Sequence, residues 1–127
     1  IIVMVLFDYY LYTDNYKLNF KLKEFLIMLP IAILFIPIQT SLEEFIFRGF
    51  LYSQLSSTKL GPWGAITLSS LLWTVIHFQY EPKILLILFI FGLFLGYVRM
   101  AYRSLSLPII LHAINNIYAF GMAYYFF

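Results

Sequence analysis

Three short polar clusters interrupt an otherwise apolar sequence, and their residue types are those of acid–base chemistry. The first, SLEEFIFRGF at residues 41–50, carries Glu43, Glu44 and Arg48. The second sets His77 four residues after Trp73, and the third carries His112, Asn115 and Asn116. On a helix, residues four apart share a face, whereas neighbours point about 100° apart. Glu44 and Arg48 are therefore spaced to pair, while Glu43 is left to face a cavity. Trp73 and His77 share a face, as do His112 and Asn116. If the three clusters meet, Glu43 and His77 can activate a water molecule as nucleophile. His112 and Asn116 can then donate hydrogen bonds to the developing oxyanion.

What must position these residues follows from composition. Of 127 residues 63% are hydrophobic, 21% aromatic and only 11% charged, with a mean hydropathy of +0.89. An ordinary soluble domain carries about 25% charged residues, and a chain this short cannot hide so much apolar surface in one water-soluble core. The bilayer must be the solvent for most of it. A formal charge of +2 scattered through short loops leaves no basic run for nucleic acid. The absence of cysteine removes disulfides, thiolate metal sites and cysteine nucleophiles.

The expected architecture is an all-α polytopic transmembrane bundle forming a single domain over residues 1–127, with the motif-bearing helices around a polar cavity. IIVMVLFDYYLY, about residues 1–12, is too short to cross a bilayer and reads as the tail of an interrupted span entering an interfacial tyrosine belt. TDNYKLNFKLK reads as a water-facing loop. Fuller spans are expected over about 24–55, 63–79, 83–102 and 107–126. The first is long enough to be tilted, broken near Pro37, or both. Pro62 suits the first turn of the second, and Ser106 ahead of Leu107 and Pro108 reads as the start of the last. Gly92 and Gly96 form a GxxxG packing face in a span with no catalytic candidate in its interior. Loop charges are too evenly spread to set an orientation.

The cost of the first cluster demands an explanation. Each charge at mid-bilayer costs about 2.5–3.5 kcal/mol on an insertion scale, so Glu43, Glu44 and Arg48 must pair, reach water, or both. A structural staple or a transport element answers that demand as well as an active site does. A lone histidine near a helix end is commonly interfacial, Asn116 alone reads as interhelical glue, and Ser69 and Ser70 have no base beside them in sequence. Metal binding uses the same residues as catalysis: Glu43, His77 and His112 could hold Zn²⁺ with water in the fourth place. The HExxH signature of many soluble zinc proteases is absent, and metal-free water activation ranks ahead. The joint occurrence of three clusters in separate spans lifts the catalytic reading above the bland ones.

Together these residues resemble the CAAX-protease and bacteriocin-processing (CPBP, or Abi) intramembrane proteases, relatives of the type II prenyl-protein endopeptidase. The EExxxR motif of that family matches Glu43 to Arg48, with Gly49 following. Its FxxxH motif matches Trp73 to His77 with tryptophan for phenylalanine, and its HxxxN motif matches His112 to Asn116. The resemblance covers about residues 37–120, with the motifs in the family's order. It implies an intramembrane endopeptidase with Glu43 as general base, His77, Glu44 and Arg48 in support, and His112 with Asn116 at the oxyanion. Members are often classed as metalloproteases. The larger Trp73 ring is expected to narrow the cavity and so to bear on substrate size.

The implied partners are the lipid bilayer and a peptide or protein substrate, prenylated or bacteriocin-like, and the implied location is the plasma membrane of a prokaryote. The alternatives are a non-catalytic member acting in bacteriocin immunity or as a scaffold, and a small transporter using Glu43 as a proton or cation site.

Overall fold

The structure, a computed structural model, describes residues 22–126. The partial span expected at 1–12 and nearly all of the polar loop after it lie outside these residues. Among the described residues the chain is helical throughout, with no strand. Helix α1 spans Leu22–Glu44 and passes directly into a π-helical segment, Phe45–Leu51, and a short α2, Tyr52–Ser56. Then follow α3 (Gly61–Val75), α4 (Pro82–Tyr102) and α5 (Ser106–Phe126). The longest apolar helical runs, Leu26–Ser56 and Pro82–Tyr102, are long and apolar enough to cross a membrane.

The first helical run is not broken at Pro37. Both prolines lie inside α1, and hydroxyls just downstream bond back onto its carbonyls. Thr40 Oγ1 donates to the Ile36 carbonyl at 2.9 Å, and Ser41 Oγ donates to the Pro37 carbonyl at 2.6 Å. Such i−4 back-bonding is what serine and threonine hydroxyls do inside a helix. The departure from α geometry comes eight residues after Pro37, in FIFRGFL. A π segment closes its backbone bonds at i→i+5, which shifts the angular register of everything beyond it, and such segments recur at functional sites.

Helix α3 is shorter than expected: it ends at Val75, not near Gln79. The chain then tightens into turn bonds, with His77 N–H to the Thr74 carbonyl at 3.0 Å and Tyr80 N–H to the His77 carbonyl at 3.0 Å. His77 therefore sits in the turn after the helix. Gly61 opens α3 at φ +63° ahead of Pro62, and Arg103 closes α4 in the left-handed region at φ 50°. The tight loops make α3, α4 and α5 sequential neighbours, while α1 packs mainly on α5.

Two small apolar clusters hold the bundle. One joins Phe47, Trp73 and Leu88; the other joins Tyr52, Ala65 and Ile66. Gly96 lies against Ile66 and Gly92 against Ser70, Arg48 and Trp73, so the GxxxG face is spent inside the bundle, bringing α4 close to α3. The outer surface is apolar, with Leu34, Phe35, Leu42, Phe50, Trp63 and Phe78 among the exposed large side chains. Such a surface suits hydrocarbon and not water.

Candidate active site

The two adjacent glutamates occupy different environments. Glu44 and Arg48 are both fully buried and paired at 2.9 Å between Nη1 and Oε1, within one helical face. His112 reaches the same Oε1 from α5 with Nδ1 at 2.8 Å. The second arm of Arg48, Nη2, donates to the Gly92 carbonyl at 3.2 Å, and its guanidinium lies 4.8 Å from the Trp73 ring centroid. Glu44 thus ties α1, α4 and α5 together through two cationic or cation-forming partners. Burying these charges is tolerable only because each finds a hydrogen-bonded partner.

Glu43 is half-buried and points elsewhere. Its Oε2 accepts from the Trp73 indole at 2.7 Å, and its Oε1 accepts from the Gln39 amide at 3.1 Å. His77, also half-buried, bonds through Nδ1 to the Trp73 carbonyl at 2.8 Å. A carbonyl can only accept, so His77 Nδ1 carries the hydrogen and Nε2 is left for other work. The His77 ring lies 5.0 Å from the Trp73 ring and stacks on Tyr80 at 6.2 Å, and His112 sits edge-on to Trp73 at 5.4 Å.

The structure therefore brings Glu43, Glu44, Arg48, His77 and His112 around one buried tryptophan. Trp73 is 1% exposed, so its ring borders no open space. The expectation that it narrows a cavity is replaced by a role beneath the polar groups. Asn116, expected beside His112, is half-buried, and its Oδ1 takes the Asn115 amide at 3.3 Å. His112 Nδ1 is turned to Glu44, and the more buried asparagine is Asn115.

Three contributors have no counterpart in the sequence motifs. Gln39 lies one turn before Glu43, a spacing that could have been read. The Gly92 carbonyl is a backbone group in a span that shows no polar side chain at that point, and only packing reveals it. Arg99 Nε donates to the Arg48 carbonyl at 3.2 Å, bracing the π segment from α4, with its guanidinium 5.7 Å from the Tyr52 ring.

The metal set fares differently. Glu44 Oε2 is buried without a hydrogen-bond partner among the described residues, the sort of oxygen a cation could use. Yet among those residues no three histidine or carboxylate side chains converge closely enough to hold an ion. Glu43, His77 and His112 as arranged do not fit a metal.

Comparison with known proteins identifies the family. Residues 22–118 match the family described as Type II CAAX prenyl endopeptidase Rce1-like. The chain belongs to the Rce1-like family. That family is a protease family, and the matched residues include Glu43, His77 and His112. The Rce1-like chain is also 28% identical over 125 residues to the uncharacterized protein YyaK of Bacillus subtilis. That alignment covers 92% of this chain and 42% of YyaK, so the chain spans less than half the length of that relative. No solved structure matches significantly. Family and apolar helices together place the Rce1-like chain at a membrane.

Proposed function

We propose that the protein is a multi-pass intramembrane endopeptidase that hydrolyses a peptide bond of a membrane-associated protein or peptide. The observation that carries this reading is the division between the glutamates. Glu44 is fully buried and engaged by Arg48 and His112. Glu43 is partly open and held at its edges by two neutral donors. The first is a scaffold charge; the second is a carboxylate positioned to work.

In this mechanism Glu43 takes a proton from a water molecule as its oxygen adds to the scissile carbonyl carbon, giving a tetrahedral oxyanion. His77 Nε2, whose tautomer is set by the Trp73 carbonyl, helps to orient that water. His112 is held at Nδ1 by Glu44 and donates from Nε2, as the imidazolium, to the oxyanion; the Asn116 amide is the second donor. Collapse of the intermediate breaks the C–N bond, and the proton held by Glu43 passes to the departing amine. The substrate is a prenylated or bacteriocin-like peptide, and the setting is the plasma membrane of a prokaryote.

The test is cleavage of labelled prenylated and transmembrane peptides by purified protein in nanodiscs, beside Glu43→Ala and His77→Ala. The expected result is cleavage that either substitution removes. Cleavage indifferent to both would sink the mechanism. Proton flux into liposomes that depends on Glu43, without proteolysis, would point to transport.

A further inference from the structure

Trp73 touches four polar members of the site. Its indole N–H donates to Glu43, its carbonyl accepts from His77, its ring face meets the Arg48 guanidinium, and its ring edges meet His77 and His112. It is also the largest fully buried side chain, at 1% exposure, packed with Phe47 and Leu88. A buried indole N–H needs an acceptor, and here that acceptor is Oε2 of Glu43, the glutamate that Arg48 and His112 do not engage.

The two donors on Glu43 are unequal. Gln39 is an exposed i, i+4 neighbour on the same helix, with a flexible side chain that other partners can satisfy. The indole comes from another helix, at a shorter distance, on a ring that the core does not allow to rotate. From this geometry we infer that Trp73 is a positioning residue. It fixes the rotamer of the Glu43 carboxylate by its indole N–H and the tautomer of His77 by its carbonyl, so that the pair acts on one water.

The inference rests on the hydrolytic reading for its kinetic consequence, but not for its structural one. A hydrogen bond from a fixed donor to a charged group is worth about 1.5–3 kcal/mol, which corresponds to roughly 10- to 100-fold in rate. Trp73→Phe keeps the ring, the carbonyl and the fold position while removing only the donor and some volume. The expected result is a kcat lower by roughly 10- to 100-fold with KM unchanged, while Gln39→Ala falls much less. Wild-type kcat in a folded Trp73→Phe protein would overturn the inference and leave the protease reading standing.

The second arm needs no activity. The chain has two tryptophans, and Trp63 is exposed against Tyr97 on the outer surface. In Trp63→Phe protein the remaining indole ¹H–¹⁵N resonance belongs to Trp73. It is expected downfield, and Glu43→Ala is expected to move it upfield, as a lost hydrogen bond does. A resonance unmoved by Glu43→Ala would refute the contact itself. This arm decides the matter if Trp73→Phe fails to fold, or if the wild type cleaves none of the peptides tried and only the hydrolytic reading falls.

Discussion

At the scale of single residues, the account turns on which charges are structural. Arg48 bridges Glu44 on its own helix and the Gly92 carbonyl on another while lying over Trp73. Removing one partner of a buried pair leaves the other charge uncompensated, at a cost of about 3–5 kcal/mol. Arg48→Leu should therefore lower stability by about that amount in a denaturant titration in detergent. Arg48→Lys should fall between, since a single ammonium cannot span both acceptors. A variant as stable as wild type would mean that the cluster contributes nothing net. The Glu44–Arg48 pair was legible in sequence because i, i+4 spacing is local. The third member was not: His112 lies 68 residues from Glu44, and nothing in HAINN says which ring nitrogen meets which oxygen.

At the scale of elements, glycines and the π segment set how closely the helices bring these residues together. A Cβ on Gly92 would stand 3.0 Å from Ser70 Cβ and 3.1 Å from Arg48 Nη2, and one on Gly96 would stand 2.8 Å from Ile66 Cγ2. Both should be overpacked as alanine, by about 1–3 kcal/mol. Gly121 has open space around it, so Gly121→Ala should be neutral or stabilising by up to about 1 kcal/mol through helix propensity. Thermal melts of the three variants check the order, and equal effects would mean the close approach of α4 to α3 carries no strain. Because Ile66 is the group Gly96→Ala would strike, Ile66→Ala added to it should cost less than the sum of the two single changes. Arg99→Ala removes the donor to the Arg48 carbonyl and should cost about 1.5–3 kcal/mol; no change would mean that the π segment holds itself. The GxxxG face was readable as a packing face. The π segment was not, because nothing in FIFRGFL announces i→i+5 bonding, while the two prolines drew attention to a break that the continuous α1 does not have.

At the scale of the whole molecule, the apolar surface carries the membrane assignment. Composition made the class plain from the start, since 11% charged residues cannot clothe a soluble domain of 127 residues. The protein should stay with the membrane pellet through alkaline extraction, and release into the supernatant would contradict that assignment. What composition could not supply was the meeting of α1, α3 and α5 around Trp73, which depends on loop lengths and on the early end of α3 at Val75. That meeting is what separates two adjacent glutamates into one that holds the bundle and one that, in the proposed mechanism, serves the reaction. The most direct measurement is a paired readout, peptide cleavage and melting temperature, on Glu43→Gln and Glu44→Gln in nanodiscs. The account predicts that Glu43→Gln loses cleavage by about 10²- to 10⁴-fold with its melting temperature unchanged, while Glu44→Gln melts earlier. Wild-type cleavage by Glu43→Gln would contradict it.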